Sequence, residues 1–354
     1  MTDNSSRRKA FTMITRGTGP TISRRALVAG FGTGALAFAA SRYGMAAQTS
    51  GPAVLNPDRM SDAIYALGPR WVPNTLPPSD PPNFGNGHYT EDLFLYTHKG
   101  FRDGSRSWED RRQIGNDWNF SEVFPGPHGV IYAIDGDGNL QWYQYRGRTG
   151  GTDRWRGPKL VGNGWNVRHV GPSSDDFLGA FCDTQNNDNA LSLSSSKAII
   201  YAVRANGELL WYRHDGAVDG SKTWANGGRL DPVGSGWVAG YRRVFSGCDG
   251  VIYLIGDDGT LYWYKHTGYL EGNGNWEARR QVGTGWHTFL NVFSIGEGII
   301  YAIDTDGTLW WYKHNGYKTG ASDWAPRRNV GNGWNGAGFS VVCNSVDLHP
   351  TIIH

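Results

Sequence analysis

Residues 298–334, GIIYAIDTDGTLWWYKHNGYKTGASDWAPRRNVGNGW, decide the fold, because the chain keeps returning to them. Residues 250–286 read GVIYLIGDDGTLYWYKHTGYLEGNGNWEARRQVGTGW, and residues 129–165 and 198–237 carry the same order of features. Each copy has an apolar-aromatic run, a tight turn, a second aromatic run, a polar loop with a Trp, a basic-apolar run and a closing Gly-x-Gly-Trp. A fifth, more divergent copy starts at Asp92. The closing tryptophans are Trp118, Trp165, Trp237, Trp286 and Trp334, spaced 47, 72, 49 and 48 residues apart. A period near 48 with one long interval is the mark of a repeat architecture.

Within a copy the periodicity is that of strands. In Ile299–Ile303 nearly every position is apolar and β-branched or aromatic, as in a strand covered on both faces. Asp137-Gly138, Asn206-Gly207, Asp258-Gly259 and Asp306-Gly307 follow, dipeptides that favour a tight hairpin. Arg327–Val330 reads as a third strand. A further apolar run, such as Tyr241–Phe245 or Phe289–Phe293, precedes the next copy. Four short strands per repeat make a propeller blade. The chain therefore reads as an all-β, five-bladed β-propeller with four strands per blade over residues 62–346. Ala63–Leu67 echoes the IIYAI strand, but the first copy has no obvious strand before it. Phe339–Cys343 is a strand with no repeat after it, so the two termini are expected to share a blade and close the ring. Two insertions stand out, about 68–91, rich in Pro, and about 173–197, rich in Ser, Asp and Asn; both read as loops. Residues 347–354 read as a tail.

The N-terminus reads as an address. Residues 1–47 place Arg24-Arg25 before a short apolar run and a small-x-small site, the parts of a secretory signal, and the arginine pair resembles the bacterial twin-arginine type. Residues 48–61 read as a leader. Residues 1–46 carry a net charge of +6 against +2 for the whole chain, leaving about −4 for the remainder. That balance offers no footprint for nucleic acid. Cys182, Cys248 and Cys343 have no metal-site spacing and read as buried thiols, with room for one pair at most.

Recurrence sorts the residues that could carry chemistry. Asp135, Asp137, Asp258, Asp304 and Asp306 resemble a calcium loop but sit where hairpin turns need them and lack its glutamate. His98, His214, His266 and His314 fall one per blade, too far apart to share a metal; they read as satisfied strand-end histidines. Metal and cofactor are accordingly not expected. The Gly-x-Gly-Trp loops have two readings. As binding sites, they offer an aromatic face beside exposed peptide groups, the combination that a sugar ring needs. As structure, their Trp rings cement blade to blade.

The string W-x-x-R-R-x-[IV]-G-x-G-W, best kept at Trp276–Trp286 and Trp324–Trp334 and nearly so at Trp108–Trp118, resembles the tachylectin-2 type β-propeller lectins. The resemblance covers about Ala63 to Asn344. It implies five blades and sites for N-acetylated sugars, GlcNAc and GalNAc, between adjacent blades. Those sites would use the loop joining the last strand of one blade to the first of the next. Here that loop holds Asn116, Trp118 and Asn119; Asn163, Gly164, Trp165 and Asn166; Gly236 and Trp237; Gly285 and Trp286; and Asn332, Gly333, Trp334 and Asn335. The family usually has two glycines before the Trp where this chain has one, and Val238 and His287 replace Asn in two copies. The expected protein is a secreted, monomeric, multivalent lectin with no catalytic residues, no nucleic-acid partner and no membrane span once matured. The alternatives are a glycan-processing hydrolase or lyase, using insertion acids (Asp175, Asp176, Asp183, Asp188) or the central channel, and a protein-binding scaffold. If the address is read correctly, Arg24→Lys with Arg25→Lys retains the protein in the cytoplasm, as fractionation and immunoblotting would report; unchanged export would refute it.

Overall fold

Strands covered on both faces need a neighbour on each side, and a ring of blades supplies both. The computed structural model describes residues 62–73, 87–147, 155–183, 197–228, 232–336 and 338–348. The N-terminal address and leader lie outside them. The first blade opens with β1 (Ala63–Pro73), β2 (Gly87–Thr97) and β3 (Arg112–Gly115). The second holds β4 (Glu122–Pro125), β5 (Val130–Ile134), β6 (Leu140–Tyr145) and β7 (Trp155–Gly162). The third holds β8 (Phe177–Asp183), β9 (Ala198–Arg204), β10 (Leu209–His214) and β11 (Pro232–Gly234). The fourth holds β12 (Tyr241–Cys248), β13 (Val251–Gly256), β14 (Leu261–Lys265) and β15 (Arg280–Gly283). The fifth holds β16 (Asn291–Gly296), β17 (Ile299–Ile303), β18 (Leu309–Lys313) and β19 (Arg328–Gly331), and β20 (Ser340–Val342) and β21 (Ser345–Asp347) follow. Pairing within every blade is antiparallel, and β20 completes the first blade by pairing with β1, Tyr65 opposite Val342. The fold is the five-bladed propeller expected, closed by the two termini. Among the described residues no helix is long and apolar enough to cross a membrane.

The innermost strands meet around the axis, β4 on β8 and β20, and β12 on β8 and β16. The next strand out is buried over its central residues, and its central tyrosines, Tyr65, Tyr132, Tyr201, Tyr253 and Tyr301, are at most 1% exposed. A buried phenol needs a partner. Tyr132, Tyr201, Tyr253 and Tyr301 find it on the next blade, at the Nδ1 of His214, His266, His314 and His98, 2.5–2.8 Å away. Trp142, Trp211, Trp263 and Trp311 also reach the next blade, donating their indole N–H to the carbonyls of Ala217, Tyr269, Tyr317 and Phe101 at 2.7–2.9 Å. The seam between the first and second blades differs: Leu95 pairs opposite Tyr65 where the other blades place Trp, and Tyr145 pairs with Trp155 where they pair His with Trp.

Three expectations need correction. Segment 68–91 is a loop only in part, since β1 and β2 run on as a two-stranded ribbon to Pro73 opposite Gly87. β20 covers β1 only from Tyr65 to Leu67, so Pro69 and Pro73 fall on an uncovered edge, where the missing N–H costs little. Segment 173–197 is likewise no single loop. It contains β8, buried at every position, the innermost strand of the third blade; the polar composition of the whole segment masked FLGAFC. What lies beyond Asp183 up to 196 is outside the described residues. The supposed tail, finally, begins as structure.

After β20 the chain turns at Asn344 inside the channel and returns as β21, a fifth strand on the fourth blade with Asp347 opposite Arg243. Asn344 is 1% exposed. Its Oδ1 accepts from the Cys182 N–H and its carbonyl from the Ser246 N–H, both at 2.9 Å. Val346 and Leu348 are each 3% exposed and pack into the core between the third and fourth blades. Ending the chain after Asn344 removes both side chains from burial, each worth about 1.5–3 kcal/mol. Urea denaturation should show a loss of roughly 3–6 kcal/mol; a truncated chain as stable as the parent would mean that this strap contributes nothing.

Candidate functional site

The Gly-Trp loops lie beside the Asp-Gly hairpins because both join strands at the same face of the ring. The backbone N–H of Trp165, Trp237, Trp286 and Trp334 donates to the carbonyl of Gly138, Gly207, Gly259 and Gly307 at 2.9–3.0 Å, and Trp118 donates to Glu91 at 2.7 Å. The acids of the hairpins are spent on them. Asp135 accepts from the N–H groups of Asp137 and Asn139, Asp258 from Thr260, and Asp306 from Thr308. Those bonds hold the carboxyls of Asp258 and Asp306 below the ordinary range. Turn chemistry, read from the sequence, is what these residues do.

Two glycine positions shape each loop. Gly164, Gly236, Gly285 and Gly333 take φ of +77 to +80°, the left-handed region, with open space where a Cβ would stand. Asp117 takes the same place in the first blade at φ 58°. Three residues before each Trp, a second Gly (Gly115, Gly162, Gly234, Gly283 or Gly331) lies under the indole, where a Cβ would come within 2.1–2.8 Å of Nε1. The loop thus folds its indole inward and leaves its peptide outward.

That geometry changes the role expected of the tryptophans. Trp118, Trp165, Trp237, Trp286 and Trp334 are only 4–8% exposed. Their rings pack on Tyr143, Tyr212, Tyr264, Tyr312 and Tyr96 of the next blade, with centroids 4.4–5.0 Å apart. They are cement between blades and present no open face for a sugar. The residues around them are exposed: Asn116, Asn119, Asn163, Gly164, Asn166, Gly236, Gly285, Asn332, Gly333 and Asn335. Of these, Asn119 is engaged with Thr90 and the Glu91 N–H, and Asn335 donates to the Thr305 carbonyl at 2.9 Å. Asn116 and Asn332 accept from Gln113 and Asn329.

The aromatic surface that sequence reasoning passed over belongs to the other Trp of each repeat. Trp108, Trp155, Trp224, Trp276 and Trp324 are half-buried. Each donates its indole N–H across the seam, to the carbonyl of Val330, Ile114, Val161, Val233 or Val282 at 2.7–2.9 Å. Its ring lies 5.4–6.2 Å from the loop Trp of that blade. On its inner side Trp108, Trp224, Trp276 or Trp324 stacks on its own blade's His at 4.1–4.4 Å. The Trp that recurs ten residues before each loop Trp, or 13 in the third blade, was the available signal. Each groove between blades therefore combines exposed peptide and amide groups with part of a fixed indole.

Two of the four acids considered for catalysis have structural partners. Asp176 accepts from the Ser173 N–H at 2.8 Å and faces Arg168 at 3.5 Å. Asp183 is buried and accepts from the Gly250 N–H at 2.6 Å and Ser246 Oγ at 3.2 Å, burial raising its pKa to about 7. Asp175 is exposed, and Asp188 lies outside the described residues. All three cysteines are free, and burial pushes their thiols up. Among the described residues no cluster of His, Cys, Asp or Glu is arranged to hold a metal.

A family model described as Tachylectin matches residues 89–338. No curated protein matches the sequence. Among solved structures, one described as SapL1 lectin in complex with alpha methyl fucoside is similar at 16% identity and a TM-score of 0.33, over 60% of this chain and 66% of that one.

The histidines that back the indoles are held neutral. In His98, His214, His266 and His314 one ring nitrogen faces Tyr and Nε2 faces a backbone carbonyl at 2.6–2.8 Å, which requires the proton on Nε2. Burial, the largest cause, lowers each pKa from 6.5. A depressed base stabilises the fold fully above its unfolded pKa and loses that contribution as pH falls below it. Buried Asp183 and Glu122, with raised pKa values, act in the opposite sense, so the informative quantity is a difference between variants. The advantage of the parent over His214→Gln, measured by urea denaturation, should be about 1–3 kcal/mol at pH 7.5 and shrink as pH drops below 6.5; a pH-independent difference would show that the ring's neutrality is irrelevant.

Proposed function

From a chain that belongs to the tachylectin family, we propose a multivalent lectin whose five inter-blade grooves each take one N-acetylated hexose, GlcNAc or GalNAc. The observation that carries this reading is the fivefold recurrence of one arrangement, exposed Gly-loop peptide beside a half-buried indole tied to the neighbouring blade. The indole offers an apolar patch to the C–H face of a sugar, and the loop peptides and the exposed Asn side chains offer partners to hydroxyl and acetamido groups. In this reading the buried loop tryptophans shape the groove rather than stack on the ligand. Asn163 and Asn166 flank the groove between the second and third blades. The grooves following Trp118, Trp165 and Trp334 keep Asn after the Trp and should bind best; those with Val238 and His287 should bind less.

Hydrogen bonds at such exposed sites net about 0.5–1.5 kcal/mol each. Single-site dissociation constants near millimolar follow. A rigid ring can engage several glycans on one surface, raising apparent affinity by roughly 10²–10⁴. The protein would act as an exported monomer on a glycan-coated surface, with no metal or cofactor.

Calorimetry with GlcNAc and GalNAc tests this directly. Asn163→Ala with Asn166→Ala, both exposed, should lower the number of sites by about one while stability changes by no more than about 0.5 kcal/mol. Failure of either sugar to bind at millimolar concentration would overturn the sugar assignment. Unchanged stoichiometry in the double variant would move the sites away from these loops.

A further inference from the structure

The channel on the ring axis holds a second kind of site. A cavity of about 200 Å³ is walled by every innermost strand, through Glu122 of β4, Leu178 of β8, Arg243 of β12, Asn291 of β16 and Val341 of β20. The β21 strap, with Ser345 and Asp347, lines it as well. Four of those five wall residues open their strands or stand second in them, so the cavity lies toward the face that carries the Gly-Trp loops. Its size suits a ligand smaller than those of ordinary drug-sized pockets.

The polar groups around it are unequally satisfied. Arg243 is neutralised, donating to Asp347 Oδ2 and to the Leu290 carbonyl, both at 3.0 Å. The Asn291 amide reaches the Cys343 sulfur at 4.0 Å, a weak contact. The Glu122 side chain is 15% exposed, and its neighbour His169 holds Nε2 3.6 Å away, beyond hydrogen-bonding distance. Burial raises the Glu122 pKa to about 8. The groups facing it are His169, Cys343, Arg243 and Asp347. With Glu122 ionised, two carboxylates against one guanidinium leave the cavity one negative charge in excess. A buried carboxylate in that position gains most from a compact cation that brings its own N–H donors.

We propose that the axial cavity binds a small molecule carrying a primary ammonium group beside a hydroxyl group, the ammonium donating to the Glu122 carboxylate and the hydroxyl meeting Asn291 and Ser345. The site shares no residue with the inter-blade grooves and stands independently of the sugar reading. Binding requires the Glu122 proton to leave, so it couples to pH: affinity rises from pH 6 to 8 as the carboxylate ionises.

Calorimetry of the purified full chain with ethanolamine as the probe tests the site. One ethanolamine should bind per chain. At pH 7, buffers of different ionisation heat should report a proton released from the carboxyl, and ethylene glycol, which lacks the charge, should not saturate. Glu122→Gln should weaken ethanolamine at least tenfold and abolish the pH dependence, while its GlcNAc titration matches the parent. Val341→Phe, which fills the cavity from the adjoining β20 wall and keeps the carboxyl in place, should weaken it likewise and carries the test should Glu122→Gln fail to fold. Absence of saturable ethanolamine binding, or parental affinity in the folded Glu122→Gln or in Val341→Phe, would overturn the proposal.

Discussion

The structure depends on hydrogen bonds that cross from blade to blade. A propeller blade has two apolar faces, and apolar contact alone would let neighbouring blades slide. Here each seam carries an indole N–H seated on a strand carbonyl of its neighbour, as Trp324 on Val282, and four of the five add a Tyr–His pair and a second indole. Each of these groups is polar and largely removed from water, so leaving it unpaired costs about 1–3 kcal/mol. Registration follows from that penalty: only one alignment of adjacent blades satisfies every donor. The aromatic richness of the chain is thus a packing requirement first. The grooves it leaves at the surface are by-products of seams built to a fixed geometry.

Most of the fold was legible because local and global signals agree. The IIYAI strands announce coverage on both faces, the Asp-Gly pairs announce hairpins, and a first copy without its opening strand, matched by an orphan strand at the C-terminal end, announces closure. Where the signals conflicted, reading by composition misled. β8 hides in a segment dominated by Ser, Asp and Asn, because its seven residues were averaged with a polar neighbour. β21 is three residues long and its partner is in the fourth blade, so nothing local marks it.

The candidate site was legible in place and not in detail. Sequence alone put the Gly-Trp loops between blades, and there they are. Which indole is open and which is closed depends on how the loop folds back, and the deciding residue is the glycine three positions before the Trp, as Gly162 before Trp165. A motif records that both residues recur; it does not record that one exists to make room for the other. The His residues were read as satisfied strand-end groups, and they are, but their partners come from another blade more than 60 residues away in sequence.

The seam between the first and second blades has Leu95 and Tyr145 where the others have Trp and His. A closed ring lacks a natural starting point for fraying, since each blade is gripped on both sides. This ring has one joint built from different groups, and it lies on the blade that the strap-bearing C-terminal strand completes. The chain thereby places its differently built joint and its terminal fastening on the same blade.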